Sequence, residues 1–178
     1  LKHPCVGLVQ SANIWEKAKQ LMILPKILEK FPDVMFYWVG DGPYAKNILP
    51  ILEKYKNFKW LGKIEYPNKV RQFLSEIDIY ALLTGIDMSP LTLQEAQLMQ
   101  KSVIATSVGG IPELIKDKET GFLVNKNNPD EVIEKISFLL DNPVKRQDMG
   151  KAGRRFVESN FSWEEITRKF IQVMKDVI

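Results

Sequence analysis

The sequence predicts an α/β protein with a Rossmann-like, three-layer arrangement: a parallel β-sheet covered on both faces by helices. Three observations support this fold class. Short apolar runs typical of buried strands recur along the chain, and segments with apolar residues at helical spacing separate them. This alternation favours parallel strands joined by helical crossovers. The last 40 or so residues show helical patterns alone, which predicts a helical C-terminal extension.

Composition limits the class of protein. A chain of 178 residues fits one domain and is long enough to bury a core, and 45% hydrophobic with 26% charged residues is ordinary for a globular protein. The net charge of +3 is too small to indicate a nucleic-acid surface. No apolar run approaches the roughly 20 residues that span a bilayer. The single Cys5 excludes an intrachain disulfide, and its place in a strand predicts a buried, inert thiol.

Each predicted strand is an apolar run bounded by a turn signal. The first strand ends in the polar loop that begins at Gln10, and the second ends in the turn 40–43, which is rich in glycine. The third precedes Gly62, and the fourth runs into the loop that begins at Thr84. The predicted strands cover residues 5–9, 34–39, 58–61, 77–83, 103–105 and 121–124.

Helices are predicted between these strands from apolar spacing and end signals. The first carries an apolar face that includes Leu21 and Leu28, and later helices begin near Pro129, near Pro143 and after Ser162 as N-cap. The other predicted helices cover residues 44–55 and 67–76, the segment after Ser89, and a short turn after Pro112.

The segment 84–96 is predicted to carry the function, because it joins an apolar strand to a helix. Ser89 followed by Pro90 is typical of an N-cap with proline at the first helical position. Backbone N–H groups there lack intrahelical partners, and the positive end of the helix dipole favours anions, most often phosphate. Asp87 and Glu95 bracket the helix start and can accept sugar hydroxyls. Together these features indicate a nucleotide-sugar pocket.

Four sequence features, in this order, resemble the donor half of glycosyltransferase family four. They are the spacing Asp87-x7-Glu95-Ala96 and the segments 101–113, 120–124 and 161–163. The resemblance covers nearly the whole chain. It implies a retaining enzyme of the GT-B fold, of which residues 1–178 would form the nucleotide-sugar-binding half, with residues 141–178 as its helical extension. Because the chain starts at Leu1 in place of a methionine, we expect a fragment that lacks an acceptor-binding N-terminal half and is inactive alone.

The resemblance also implies roles for individual residues. Lys17 and Asp87 would be catalytic: Lys17 would neutralise the departing diphosphate, and Asp87 would orient the donor sugar. Glu95 would hold the ribose hydroxyls. This chain departs from the family twice, because Asp87 replaces the usual glutamate and residues 8–11 lack the arginine that usually precedes the lysine. Either another cation substitutes for that arginine, or the leaving group is less stabilised.

Further substrate-binding residues follow from the same resemblance. The diphosphate loop would comprise Ser89, Pro90, Leu91 and Thr92, which replace a glycine-rich stretch of the family. Gly40 would lie against the phosphates or ribose, Leu61 would offer backbone hydrogen bonds to the base, and Gly109 would let the chain pass close to the donor. No metal is expected, since the family needs none and the sequence has no Cys/His cluster. No cofactor is expected besides the nucleoside diphosphate sugar donor.

Plainer structural interpretations stand beside these roles. Lys17 has the pattern of a surface lysine, and the turn that contains Gly40 could be an ordinary one. Thr92-x-x-Glu95 fits a capping box, which would make Glu95 structural. In the last helix, an apolar stripe favours core packing, with partner binding as the alternative. The stripe comprises Ile166, Phe170, Val173 and Val177.

We therefore expect a retaining hexosyltransferase that uses a UDP- or GDP-sugar and acts on the hydroxyl of a glycan or lipid acceptor. Nucleic acid is not an expected partner. We expect a cytoplasmic location, with the inner membrane surface as an alternative. Two other hypotheses stay open: a phosphorylase or epimerase on the same scaffold, and a non-catalytic sugar-nucleotide-binding or regulatory module.

Overall fold

The structure is a computed structural model that describes residues 1–177, and its centre is one six-stranded parallel sheet. The sheet order is β3-β2-β1-β4-β5-β6, and every pair of neighbouring strands is parallel. The carboxyl ends of all six strands therefore meet at one edge. The strands are β1 (Cys5–Val9), β2 (Met35–Val39), β3 (Phe58–Gly62), β4 (Ile79–Leu82), β5 (Ser102–Thr106) and β6 (Phe122–Val124).

Helices cover both faces of the sheet, which confirms the predicted three-layer fold. One face packs against α2, α3 and α6, and the other packs against α4 and α5. The helices are α1 (Trp15–Ala18), α2 (Leu24–Lys30), α3 (Ala45–Leu52), α4 (Asn68–Glu76), α5 (Leu91–Leu98), α6 (Pro129–Asp141), α7 (Pro143–Phe161) and α8 (Trp163–Val177), with 3₁₀ turns at Lys19–Ile23 and Ile111–Glu113. No helix among residues 1–177 combines the length and the apolar character needed to cross a membrane.

The first predicted helix is divided into three pieces. The 3₁₀ turn Lys19–Ile23 separates α1 from α2, and Pro25 lies in the first turn of α2. Proline is tolerated there because the first helical N–H groups have no intrahelical partner, but it cannot continue an α-helix from the preceding turn. Lys17 consequently lies on a helix of only four residues.

The C-terminal extension has one packed helix and one exposed helix. Helix α7 lies against α5, α6 and β5, whereas α8 packs on α7. The expected core packing of the apolar stripe is wrong: Phe170 is 64% exposed, and Ile166 and Val173 are exposed as well. No other part of the described chain covers that face. The side chain of Val177 lies outside the described residues. Ser162 caps α8 as predicted, since its Oγ accepts from the Glu165 N–H at 3.3 Å.

Gly150 fixes the close approach of α7 to the chain before β5. A Cβ atom at this position would lie 2.0 Å from the carbonyl oxygen of Gln100. We predict that Gly150→Ala lowers the free energy of unfolding by about 1–3 kcal/mol, as overpacking does. Helix propensity alone would favour alanine by about 1 kcal/mol. A decrease in the free energy of unfolding would therefore come from the steric clash with the Gln100 carbonyl.

Urea unfolding of the two proteins measures this difference. Lys151→Ala, on the exposed side of the same helix, is the matched control and should stay within about 0.5 kcal/mol of the parent. Equal stability of the Gly150→Ala and Lys151→Ala variants would show that α7 is free to shift away from Gln100.

Candidate functional site

A cleft of about 790 Å³ opens at the carboxyl edge of the sheet. β1 and β4 are neighbours, and the chain leaves β1 towards β2 but leaves β4 towards β5 on the other side. Such a reversal of strand order is where open α/β sheets bind ligands, because the flanking loops diverge there. Residues after β1, β2, β3 and β4 line the cleft; among them are Gln10, Ser11, Asn13, Lys17, Gly40, Asp41, Lys63, Tyr66, Asp87, Ser89, Pro90, Leu91 and Thr92.

Buried polar contacts hold the loop between β4 and α5. The Thr84 N–H donates to Thr106 Oγ1 at 3.1 Å, and that hydroxyl donates to the Thr84 carbonyl at 2.6 Å. The Gln10 side chain bridges the end of β1 to Leu83, donating to its carbonyl and accepting from its N–H. Buried polar groups that are fully hydrogen-bonded fix one geometry. The loop is thereby anchored to β1 and β5 before it reaches Asp87.

Lys17 and Asp87 form an ion pair within the cleft. Lys17 Nζ lies 2.8 Å from Asp87 Oδ2, and the two side chains are 25% and 15% exposed. The other carboxylate oxygen, Oδ1, accepts the Met88 N–H at 3.0 Å. The structure thus brings the two predicted catalytic residues together, 70 positions apart in sequence. An anion that enters the cleft competes with Asp87 for the Lys17 ammonium.

Helix α5 presents free backbone donors to the cleft. It begins at Leu91 with Pro90 as the N-cap, so the predicted N-cap at Ser89 is wrong by one residue. No side chain caps this end. Among residues 1–177, no group accepts a hydrogen bond from the N–H of Leu91 or Thr92. The bare helix N-terminus predicted from the sequence is therefore present, one position further along.

The hydroxyl of Thr92 serves the fold. It accepts from Tyr80 Oη at 2.9 Å and donates to the Val9 carbonyl at 3.2 Å. Burial raises the pKa of Tyr80 well above its usual range, so this phenol stays protonated as a donor. The Thr92–Glu95 capping box does not form, because the Thr92 side chain bonds to β1 and β4 rather than to its own helix. That structural interpretation of Glu95 is wrong.

The two carboxylate oxygens of Glu95 differ in their hydrogen bonding. Its Oε1 accepts from Tyr66 Oη at 2.9 Å. Its Oε2 is buried and has no hydrogen-bond partner among residues 1–177. Unpaired buried carboxylate oxygens are costly, so an observed one calls for a specific explanation such as a missing ligand. The bond to Glu95 raises the pKa of Tyr66, because it favours the protonated phenol.

The predicted glycines and Leu61 have different surroundings. Gly40 lines the cleft with φ of +145°, and a Cβ there would lie 1.9 Å from the Gln10 carbonyl oxygen. Gly109, with φ of +55°, lies against Asp87: a Cβ there would lie 1.9 Å from the Asp87 carbonyl oxygen. It supports the loop and is not among the lining residues. Leu61 packs against the core beneath the cleft, and Lys63 lines the cleft after β3.

Several lining residues were not singled out from the sequence, notably Gln10, Asn13, Lys63 and Tyr66. The available signal was their position just after the ends of β1 and β3, where parallel strands deliver ligand contacts. Tyr66 was missed because its partner, Glu95, lies 29 residues away. Lys63 and Lys17 both line the cleft, so it contains two cationic side chains.

The sequence also gave no sign of a polar cluster at the opposite edge of the sheet. His3 Nδ1 lies 2.7 Å from Asp78 Oδ2 and 3.7 Å from Cys5 Sγ. These three residue types can hold a metal ion, and their ligand atoms lie within 4.8 Å of one another. In this structure they already bond to each other. Cys5 is buried, as expected, and burial raises the pKa of its thiol to about 11.

Comparisons with known proteins agree on the family. Residues 8–156 match the family model "Glycosyl transferases group 1". The chain is 31% identical over 160 residues to a GDP-mannose-dependent monoacylated alpha-(1-6)-phosphatidylinositol monomannoside mannosyltransferase of Corynebacterium glutamicum, covering 85% of this chain and 42% of that protein. It is 30% identical over 165 residues to spore coat protein SA of Bacillus subtilis, covering 86% and 43%. The chain thus spans less than half the length of these relatives.

Solved structures share the fold. The C-terminal domain of a glycosyl transferase group 1 family protein from Francisella tularensis matches with a TM-score of 0.76 at 23% identity, covering 89% of this chain and 86% of that chain. HepE of Anabaena, solved with UDP-glucose, matches with a TM-score of 0.84 at 19% identity, covering 97% and 49%. The fold is that of the C-terminal half of a GT-B glycosyltransferase. The cleft lies where the strand order reverses. Because residues 8–156 match the family model, the chain belongs to the group 1 glycosyl transferases.

Proposed function

We propose that the cleft binds a nucleoside diphosphate sugar and that this chain is the donor-binding half of a retaining hexosyltransferase. The observation that carries the proposal is the pair of N–H groups of Leu91 and Thr92, which have no acceptor among residues 1–177 and head α5 in the cleft that Lys17 also lines. Backbone donors, a helix dipole and a lysine together suit a diphosphate. The names of two relatives agree with this ligand class, since one is GDP-mannose-dependent and another was solved with UDP-glucose.

The proposed reaction breaks the bond between the anomeric carbon of the sugar and the diphosphate oxygen. Negative charge then develops on the leaving diphosphate, and Lys17 and the α5 amides stabilise it. Asp87 accepts a hydrogen bond from a donor sugar hydroxyl when Lys17 turns to the phosphate. The acceptor oxygen forms the new glycosidic bond on the same face of the sugar while its proton passes to the departing diphosphate oxygen, and the anomeric configuration is kept.

Glu95 is proposed to hold the pentose of the nucleotide. A carboxylate accepts through both oxygens and can grip a vicinal diol. The unpaired Oε2 of Glu95 supports this role, because a ligand hydroxyl would supply the partner that the protein does not. Pro90 and Ser89 would shape the diphosphate loop, and Gly40 would give the ligand room next to β1.

The activity of the whole protein extends beyond this chain. Since the chain spans less than half of its relatives, we propose that a separate N-terminal half binds a glycan or lipid acceptor. The donor half alone would then bind nucleotide without turnover. A cytoplasmic location, or one at the inner membrane surface, fits a cytosolic sugar-nucleotide donor.

A non-catalytic sugar-nucleotide-binding module is the second candidate. The observation that favours it is the absence of arginine from the cleft: among residues 1–177, its cations are Lys17 and Lys63. Transfer of labelled sugar by the full-length protein decides between the two. Turnover above the rate of spontaneous donor hydrolysis supports the enzyme, and tight donor binding without turnover supports the module.

Removing the Lys17 charge should weaken diphosphate binding specifically. We predict that Lys17→Ala raises the Kd for UDP or GDP about 10- to 100-fold, as expected for one charge-assisted contact, and leaves the Kd of the bare nucleoside unchanged. Calorimetry with both ligand forms measures this. Lys19→Ala is the matched control, because Lys19 pairs with Glu16 outside the cleft.

Part of the loss of nucleotide affinity in Lys17→Ala would arise because Asp87 no longer has its ion-pair partner. The double variant Lys17→Met with Asp87→Asn removes both charges, so the weakening that persists in it reports the lysine contact itself. Equal Kd values for the parent and both variants would refute a phosphate-binding Lys17.

Glu95→Gln should impair nucleotide binding without harming the fold. We predict a Kd for the ribonucleoside diphosphate raised about tenfold, because the amide has one acceptor oxygen in place of two. The unfolding midpoint should stay unchanged, because Oε2 makes no hydrogen bond among residues 1–177. Glu113→Gln, an exposed acid on the neighbouring 3₁₀ turn, is the control. Lower stability with unchanged affinity would make Glu95 a structural residue.

A further inference from the structure

Tyr66 has an unusual position for an aromatic residue. It lies between β3 and α4, lines the cleft, and is 64% exposed. Its hydroxyl makes one hydrogen bond within the described chain, to Glu95 Oε1 at 2.9 Å. By contrast, Tyr80 is fully buried and its hydroxyl bonds to Thr92 and Val9. Tyr80 is part of the fold, whereas little packing holds Tyr66.

The Glu95 carboxylate cannot receive a diol as it stands. Tyr66 occupies Oε1, and Oε2 has essentially no accessible surface although no protein group bonds to it. A ligand hydroxyl that bonds to Oε1 must therefore replace the Tyr66 hydroxyl. Because Tyr66 is the exposed side chain bonded to the carboxylate, it is the group that can leave at least cost.

We propose that Tyr66 is a specificity-determining gate, which occupies the place of a pentose hydroxyl on Glu95 in the empty cleft and swings out when a ribonucleotide binds. The inference rests on the proposed function of Glu95. A phenol and a sugar hydroxyl offer the same O–H donor, and 2.9 Å lies within the usual range for such a bond. The ligand hydroxyl thus replaces a bond that the protein already makes.

This exchange occurs only with a ligand that brings ribose hydroxyls, and it reduces the preference that Glu95 gives to ribose. A nucleotide with a 2′,3′-diol replaces the Tyr66 bond and also reaches Oε2, so the displacement is compensated in part. A nucleotide without these hydroxyls offers no replacement, so Tyr66 stays in place. Tyr66 therefore lowers the affinity for every ligand that must displace it, and it does so by the net worth of one hydrogen bond.

Tyr66→Phe tests the gate by calorimetry. We expect the variant to bind UDP or GDP about fivefold more tightly than the parent, the factor that corresponds to one ordinary net hydrogen bond. The Kd of the matching 2′,3′-dideoxynucleoside diphosphate should be the same for both proteins. Tyr55→Phe is the matched control, because Tyr55 donates to Glu29 Oε1 at 2.8 Å without lining the cleft, and its loss should change neither affinity.

The other outcomes distinguish failure of the Tyr66 gate from failure of the proposed nucleotide-binding function. If the parent binds UDP or GDP but Tyr66→Phe binds with equal or weaker affinity, Tyr66 is not displaced and the gate is overturned while the donor site stands. If tightening is seen equally with the dideoxy ligand, displacement by the pentose is overturned. If the parent binds no nucleotide, the proposed function falls, and the gate falls with it.

Discussion

The ion pair between Lys17 and Asp87 joins the two segments on which the rest of the site depends. One segment, which includes α1, follows β1, and the other follows β4; the sheet reverses its order between these two strands. Because both ions are largely withdrawn from solvent, each needs the other while the cleft is empty. The pair holds the Lys17 ammonium in the cleft that the N-terminus of α5 also lines. The Met88 N–H also orients Asp87 by donating to its Oδ1.

The carboxylates of Asp87 and Glu95 differ in the hydrogen bonds that their surroundings provide. Asp87 is bonded through both oxygens, to Lys17 and to Met88. Within residues 1–177, Glu95 is bonded through one oxygen, by the exposed Tyr66. Residues of the same charge can therefore have different tasks, because their partners differ. This difference supports the proposal that Asp87 exchanges partners during the reaction and that Glu95 binds a ligand through the ligand's hydroxyl groups.

The sequence predicted the features that depend on local pattern. All six strands, the parallel sheet and the start of α8 at Ser162 follow from apolar periodicity and cap signals. The N-cap of α5 was predicted at Ser89, one residue too early, since the sequence Ser89-Pro90 is also compatible with Pro90 as the N-cap. Lys17 and Asp87 were identified through the family resemblance, and the structure brings them to 2.8 Å.

Features that depend on distant contacts could not be predicted in this way. The capping box does not form because the Thr92 hydroxyl is hydrogen-bonded to β1 and β4. The spacing of residues in the sequence does not reveal these contacts. The apolar stripe of α8 looks like a core stripe, yet a pattern does not show whether anything covers it. The bond between Tyr66 and Glu95 depends on how α4 and α5 lie against each other, and so does the unpaired oxygen of Glu95.

A crystal structure of this chain with UDP or GDP tests the central claim most directly. The account predicts diphosphate oxygens within hydrogen-bond distance of the Leu91 and Thr92 amides, with Lys17 Nζ turned from Asp87 towards the phosphate. Nucleotide bound elsewhere, with the Lys17–Asp87 pair intact and the end of α5 empty, would contradict it.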